Sequence, residues 1–134
     1  MKKKIIAFVC VHNSCRSQMA EGWAKHLGED VLEAYSAGTE NYPEVKPGAV
    51  KTMLEAGVDI SKQYPKLLAE IPSEVDFLIT MGCNVECPFI PCKFREDWGI
   101  DDPSGGTEED FRQARDTIKE KMEELLAKVR RGEL

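Results

Sequence analysis

Short apolar runs alternate with stretches of helical periodicity along the 134 residues of this chain. Runs rich in β-branched and aromatic residues predict strands, and apolar residues that recur every three or four positions predict helices. Strands that alternate with helices and are joined by short turns predict an α/β fold with three layers and a parallel sheet. The predicted strands are 4–9, 31–37, 75–80 and 93–98, and the predicted helices are 16–27, 47–56 and 107–129.

Length and charge narrow the possible functions. A chain of 134 residues predicts one domain over residues 1–134, with a proper core. The formal net charge of −6 argues against nucleic acid or an anionic membrane as the main partner. The apolar runs are only strand-length, and the run after the N-terminal lysines ends too early for a signal peptide. We therefore expect a cytoplasmic protein and a monomer.

The first predicted strand runs into a turn that carries a cysteine and an arginine six positions apart, Cys10 and Arg16. Amide groups of a strand-to-helix turn converge on one point, where the helix dipole adds positive potential. This field favours the thiolate of Cys10, and Arg16 can bind two oxygens of an anion. A buried cysteine near a surface arginine is the plainer alternative, but the flanking strand and helix favour an anion pocket. The predicted binding loop comprises Val11, His12, Asn13, Ser14, Cys15, Arg16 and Ser17, and Ser17 can also donate a hydrogen bond to the sulfur of Cys10.

A loop near residue 102 offers a candidate acid. The segment Asp101-Asp102-Pro103-Ser104-Gly105 has the composition of a turn, and Asp102 on it can reach over the anion pocket. Attack of a thiolate on a tetrahedral oxyanion expels an oxygen, which leaves more easily once it is protonated. The alternative is an aspartate that only caps its own turn.

Three further cysteines, Cys83, Cys87 and Cys92, follow the third predicted strand. Structural disulfides are disfavoured in a reducing compartment, so redox chemistry or metal binding is the better expectation. A closed zinc site needs four ligands, and the fourth has no obvious source here. A reductase, in contrast, needs one thiol to displace the product from Cys10 and benefits from another to carry the disulfide outward. We therefore favour a thiol relay and predict no metal or other cofactor.

The segment Cys10–Gly22 resembles the active-site segment of the arsenate reductases built on the low-molecular-weight tyrosine phosphatase fold. Further segments match that family in the same order, so the resemblance covers essentially the whole chain. It implies a four-stranded parallel sheet with flanking helices. The further matching segments are Tyr35-Ser36-Ala37-Gly38, Asp59-Ile60-Ser61, Glu96-Asp97-Trp98-Gly99 and Asp101-Asp102-Pro103.

The resemblance also implies a mechanism. Cys10 attacks arsenate held by the loop and Arg16, while Asp102 is the general acid. A second cysteine then attacks Cys10 and releases arsenite, and a third passes the disulfide to thioredoxin or another thiol reductant. Cys83 and Cys87 fill the relay positions best, with Cys92 as an alternative relay thiol.

Some members of the family bind a potassium ion through residues that match Asn13, Glu21 and Ser36, together with an aspartate. Here Lys66 or its neighbours occupy the position of that aspartate.

A second activity shares most of this site. A low-molecular-weight phosphatase acting on phosphotyrosine or another phosphomonoester would also use Cys10, Arg16 and Asp102. The phosphatases that this chain resembles carry aromatic residues after the Asp-Pro pair, where this chain has Ser104-Gly105-Gly106. We therefore expect arsenate reduction, with residual phosphatase activity because the pocket accepts either tetrahedral anion.

Overall fold

The computed structural model describes residues 3–82 and 90–134. Within these residues, four strands and three α-helices follow one another in the predicted order, with a short 3₁₀ turn at Leu68–Glu70. The elements, in chain order, are β1 (Lys4–Cys10), α1 (Arg16–Gly28), β2 (Leu32–Gly38), α2 (Pro47–Glu55), β3 (Val75–Thr80), β4 (Cys92–Asp97) and α3 (Glu108–Arg130).

The strands form one parallel sheet in the order β2-β1-β3-β4. This arrangement confirms the predicted four-stranded α/β fold. At the carboxyl end of β1, Cys10 lies opposite Gly38 of β2. On the other side of β1, β3 ends at Thr80, which lies opposite Val9. Ligands of open parallel sheets bind beyond the carboxyl ends of the strands, so the turn that follows Cys10 lies where a site is expected.

The two faces of the sheet are covered differently. Ile6, Phe8, Phe77 and Ile79 belong to the large core cluster that includes the buried residues of all three α-helices. Ala7, Val9 and Leu78 alternate with them along the strands and form a smaller cluster with Ile71 and Ile90. Because successive side chains of a strand point to opposite faces, these two clusters are the two faces of the sheet.

Local sequence signals fix the helix ends. Pro47 occupies the first turn of α2, where its missing amide hydrogen is no loss. At the start of α3, Thr107 and Asp110 form a reciprocal capping box, as the sequence predicts. Among the described residues, no helix combines the length and apolar character needed to cross a membrane.

Two residues of a predicted apolar helix face are exposed. The pattern of the second helix places Leu54 and Ala56 on that face, but Leu54 is 59% exposed and Ala56 is exposed as well, so both predictions are wrong. Thr52 is buried instead, because its hydroxyl donates a hydrogen bond to the carbonyl of Gly48, which lies 2.8 Å away. A threonine whose hydroxyl is satisfied within its own helix can replace an apolar side chain in a core.

Candidate active site

A cavity of about 530 Å³ opens at the carboxyl ends of the strands. The structure brings Cys10, Arg16 and Asp102 together around it, whereas the sequence separates the first and last of these by 92 positions. Their chemical roles stay predictions, but their arrangement is the one that the predicted chemistry requires. The described residues that line the cavity are Cys10, Val11, His12, Ser14, Cys15, Arg16, Tyr42, Lys46, Gly82, Ile100, Asp101, Asp102 and Ser104.

The turn between β1 and α1 has the hydrogen-bonding character of an anion cradle. Residues 13–17 are all buried, yet no backbone amide of residues 12–17 donates a hydrogen bond to a described group. Buried amides normally have partners, and the first amides of a helix lack them by construction. A run of unpartnered amides beside a helix N-terminus is therefore suited to an oxyanion.

The carboxyl end of β2 packs closely against this turn. Gly38 pairs with Cys10, and a Cβ atom built on Gly38 would lie 2.6 Å from the carbonyl oxygen of Val11. Any larger residue would push the loop away from the sheet. Thus the match of Ser36-Ala37-Gly38 to the family has a physical basis, because only glycine lets the two backbones approach so closely.

The sulfur of Cys10 is hydrogen-bonded to a neighbouring hydroxyl group. The predicted contact between Ser17 and Cys10 is present, with 2.9 Å between Oγ and Sγ. The side-chain amide of Asn13 donates to the same Oγ at 2.7 Å. That interaction occupies the oxygen as an acceptor and leaves the hydroxyl hydrogen of Ser17 free to point at the sulfur when Cys10 is a thiolate. A donor directed at sulfur stabilises the thiolate, which is the nucleophilic form.

The orientation of Asn13 is itself fixed by its neighbours. Its Oδ1 accepts hydrogen bonds from the backbone amide of Lys66 and from Nε2 of Gln18, each at 2.9 Å. A backbone amide can only donate, so Oδ1 must face Lys66 and the amide nitrogen must face Ser17. Asn13 has a φ of +55°, in the left-handed region that asparagine tolerates better than most residues. The sequence placed Asn13 in the binding loop but gave no sign of this positioning contact.

A buried ion cluster lies behind Asn13. The carboxylate of Glu21, only 3% exposed, accepts hydrogen bonds from Ser36 and Lys25, each at 2.6 Å, and Nζ of Lys66 lies 3.7 Å from it. The positive charges of two ammonium groups therefore exceed the negative charge of this single carboxylate. The residues do not fit the potassium ion that some relatives bind here, because a further cation would meet a net positive site.

Arg16 connects three parts of the site. It is 6% exposed, and its Nη1 donates to the carbonyl oxygens of Met81 and Ile100 at 3.0 and 2.7 Å. These carbonyls belong to the segments that follow β3 and β4. Nη2 lies 3.8 Å from Oδ2 of Asp102, and neither Nη2 nor Nε donates a hydrogen bond to a described residue. One edge of the guanidinium is thus anchored, while the other can hold two oxygens of an anion.

Asp102 caps its own turn and also lies at the cavity. Its Oδ1 accepts a hydrogen bond from the backbone amide of Ser104 at 2.9 Å, as a turn-capping aspartate does. Its side chain is 50% exposed and lines the cavity, with Oδ2 on the side of Arg16. The turn therefore positions the carboxyl group, and one oxygen stays accessible for proton transfer.

The second cysteine of the loop differs from Cys10. Burial, together with the charges of Asp102 and Cys10, raises the pKa of Cys15 from 9.0 to about 12. Cys15 is 3% exposed and is a neutral thiol at any physiological pH. A neutral buried thiol is a poor nucleophile, so the structure gives no reactive role to Cys15.

This shift predicts a loss of stability in alkali. Above about pH 9 the Cys15 thiol ionises in the unfolded chain but not in the folded one, so stability falls as pH rises until about 12. From about pH 8 to about pH 10.5, we expect the free energy of unfolding of the wild type to fall by about 2 kcal/mol more than that of Cys15→Ser, because serine does not ionise in this range. Urea unfolding of both proteins at both pH values measures the difference, and parallel losses would contradict the shift.

Of the three later cysteines, Cys92 is the one that lies within the described residues. Cys83 and Cys87 fall outside the described residues, although Gly82, which precedes Cys83 in the sequence, lines the cavity. Cys92 pairs with Val75 at the amino end of the sheet, level with the start of β1. Six residue steps along β1 separate that level from Cys10, which corresponds to about 20 Å. In this conformation Cys92, the alternative relay thiol, is out of reach of Cys10.

One wall of the cavity was not predicted from the sequence. The loop before α2 brings Tyr42 and Lys46 to the cavity, and the side chain of Lys46 donates a hydrogen bond to the hydroxyl of Tyr42. The ring of His12 packs against Tyr42 with 4.9 Å between centroids, and its Nε2 lies 3.2 Å from Oε2 of Glu40. An aromatic wall thus exists, but it comes from this loop and not from the residues after Asp102-Pro103.

Sequence comparison relates the chain to two groups of enzymes. The family model described as low molecular weight phosphotyrosine protein phosphatase matches residues 5–133. An arsenate reductase of Staphylococcus aureus (strain Newman) is 41% identical over 132 residues, which cover 96% of this chain and 100% of the relative.

Structural comparison points the same way. A solved structure of an arsenate reductase in the phosphate binding state is 41% identical, with a TM-score of 0.87, covering 93% of this chain and 98% of that one. The thioredoxin-dependent arsenate reductase of Corynebacterium glutamicum is 29% identical, with a TM-score of 0.80, covering 97% of this chain and 63% of that one.

Proposed function

Since the chain belongs to the low molecular weight phosphotyrosine protein phosphatase family, and within it resembles the arsenate reductases, we propose that it reduces arsenate to arsenite. The observation that carries this proposal is the cavity in which Cys10, hydrogen-bonded to Ser17, lies beside unpartnered amides and the free edge of Arg16. A thiol nucleophile next to an oxyanion cradle is suited to attack on arsenic or phosphorus.

In the first step, the thiolate of Cys10 attacks arsenic and forms a sulfur–arsenic bond. An arsenic–oxygen bond breaks, and the oxygen leaves as water after it accepts a proton from Asp102. The amides of the loop and Arg16 stabilise the negative charge on the remaining oxygens. Asp102 supports this role through its place at the cavity and its accessible oxygen.

In the second step, a thiolate of the later cysteines attacks the sulfur of Cys10. A disulfide forms, the electron pair of the sulfur–arsenic bond passes to arsenic, and arsenite leaves. We propose Cys83 as this thiol and Cys87 as the next carrier, which would pass the disulfide to thioredoxin or a similar reductant. Support comes from the sequence match, from the position of Gly82 at the cavity, and from the thioredoxin dependence of the Corynebacterium relative.

The same pocket supports a weaker second activity, the hydrolysis of phosphate monoesters. Phosphate and arsenate share their tetrahedral shape and charge, and one of the matching reductase structures is in a phosphate binding state. Tyr42 at the cavity favours aryl phosphates, because its ring can pack against theirs.

The decisive experiment counts thiols after one turnover. The fully reduced protein receives one equivalent of arsenate without any reductant, and its intact mass and the released arsenic are measured. We expect the mass of two hydrogen atoms to be lost and one equivalent of arsenite to appear. Peptide mapping should find a disulfide between Cys10 and Cys83 or, once the relay has advanced, between Cys83 and Cys87. An unchanged thiol count with rapid hydrolysis of an aryl phosphate would instead establish a phosphatase.

Serine variants of the later cysteines provide the controls. Cys83→Ser should stop repeated turnover of arsenate and leave slow aryl phosphate hydrolysis intact. Cys92→Ser, a matched change at the far end of the sheet, should retain both activities. Repeated turnover in Cys83→Ser, combined with its loss in Cys92→Ser, would assign the relay to Cys92 and require a large rearrangement of the chain.

We also propose that the protein acts in the cytoplasm as a monomer, in one domain of residues 1–134. A reducing compartment keeps relay thiols available, and the three cysteines that the structure describes are free. Within residues 3–82 and 90–134, Leu54 and Tyr64 are the exposed large hydrophobic side chains, which gives little apolar surface for a stable dimer. The net charge of −6 disfavours nucleic acid and anionic membranes as partners.

A further inference from the structure

We propose that Lys46 is a second cationic substrate-binding residue, which holds the oxyanion from the side of the cavity formed by Tyr42 while Arg16 holds it from the other. This inference rests on the proposed function, because it names a residue that would bind the same substrate. Neither the binding loop nor the Asp102 turn contains this lysine.

The position of Lys46 follows from the backbone. Its amide donates to the carbonyl oxygen of Ser14 at 2.7 Å, so the start of α2 is joined directly to the anion loop. The side chain is half-buried, lines the cavity, and donates a hydrogen bond to the hydroxyl of Tyr42. The ring of Tyr42 is packed in turn against His12. The ammonium group is therefore held by Tyr42 at the side of the cavity.

The charges around the cavity show why a second cation matters. Among its described lining residues, Arg16 and Lys46 are the only lysine or arginine side chains, and Asp101 and Asp102 oppose them. A thiolate at Cys10 and an anionic substrate add further negative charge. One nitrogen of Arg16 already donates hydrogen bonds to two carbonyl groups of the protein and is not available to the substrate. With Lys46 removed, the substrate would enter a cavity of net negative charge on a protein that is already acidic.

The electrostatics of neighbouring groups agree with this placement. The pKa of Lys46 is raised, first by its hydrogen bond to Tyr42 and also by the negative charge of Asp102. Lys46 acts in turn on Cys15 and lowers the pKa of that thiol against the larger effect of burial. The ammonium charge thus acts on groups of both the Asp102 turn and the binding loop, between which the oxyanion would lie.

The test measures anion binding separately from arsenate reduction. Inorganic phosphate is titrated against the rate at which iodoacetamide alkylates Cys10, since a bound oxyanion shields the sulfur. We expect Lys46→Met to raise the dissociation constant of phosphate about 10-fold at an ionic strength of about 0.05 M, and less at about 0.5 M because salt screens the interaction. Lys46→Arg should restore binding to within about 3-fold of wild type.

Lys51→Met is the matched control. It removes the same charge from the same helix region, but Lys51 pairs with Glu108 and does not line the cavity, so phosphate binding should be unchanged. Equal phosphate affinities in Lys46→Met and Lys51→Met would overturn the inference. If phosphate binding weakens only in Lys46→Met but no variant or wild type reduces arsenate, the inference stands and the proposed function fails.

Discussion

Replacing Cys10 by serine should lower both arsenate reduction and aryl phosphate hydrolysis by about 10⁴-fold or more. The hydroxyl of serine is not ionised at neutral pH, even with the donor that Ser17 directs at this position. Its oxygen also cannot form a disulfide, so the second step of reduction has no acceptor. The measurements are the initial rate of aryl phosphate hydrolysis and arsenite release under single-turnover conditions.

Two controls separate lost chemistry from a damaged pocket. The amides of the loop and the contacts of Arg16 do not involve the sulfur, so Cys10→Ser should still bind inorganic phosphate. Cys92→Ser makes the same exchange at the far end of the sheet and should keep full phosphatase activity. Hydrolysis in Cys10→Ser above about 1% of the wild-type rate would remove Cys10 as the nucleophile.

The fold was predictable because its signals are local. The apolar run that ends at Val9 and the helical pattern from Arg16 to Leu27 are each carried by consecutive residues, and each observed element ends one residue beyond its prediction. Leu54 was misplaced because a helix of nine residues buries only a narrow stripe, and its neighbour Thr52 takes the buried place. Periodicity cannot reveal that exchange, since it depends on a hydrogen bond.

The site was predictable only in part, for a related reason. Cys10, Arg16 and Ser17 lie within eight positions, so spacing alone indicates their proximity. The contacts that orient them come from distant segments that carry no periodic signal. Gln18 and Glu21 are polar residues of a helix, yet both are buried. Gln18 donates directly to Asn13, and Glu21 lies beside Lys66, whose backbone amide donates to Asn13. Lys46 and Tyr42 lie in a loop whose path only the structure gives.

Replacing Arg16 by lysine should also cause a large loss of activity, because a positive charge alone does not reproduce the contacts of the guanidinium group. Arg16→Lys keeps the positive charge but replaces a planar fork by one ammonium group, which cannot bind both carbonyl oxygens of Met81 and Ile100 and two oxygens of an anion. We expect kcat/KM for arsenate and for aryl phosphate to fall about 10³-fold, because the anchored edge positions the free edge that stabilises the reacting oxygens.

The expected loss has a structural part that can be measured separately. Removing a donor from two buried carbonyl groups should lower the free energy of unfolding by about 2 kcal/mol. Arg112→Lys is the matched control, since Arg112 pairs with Glu55 and Glu108 on the surface and does not line the cavity. It should retain wild-type kcat/KM. Arg16→Lys could instead unfold at a lower urea concentration and keep kcat/KM within about 10-fold of the wild type. The guanidinium would then hold the segments of Met81 and Ile100 together and would not bind the anion.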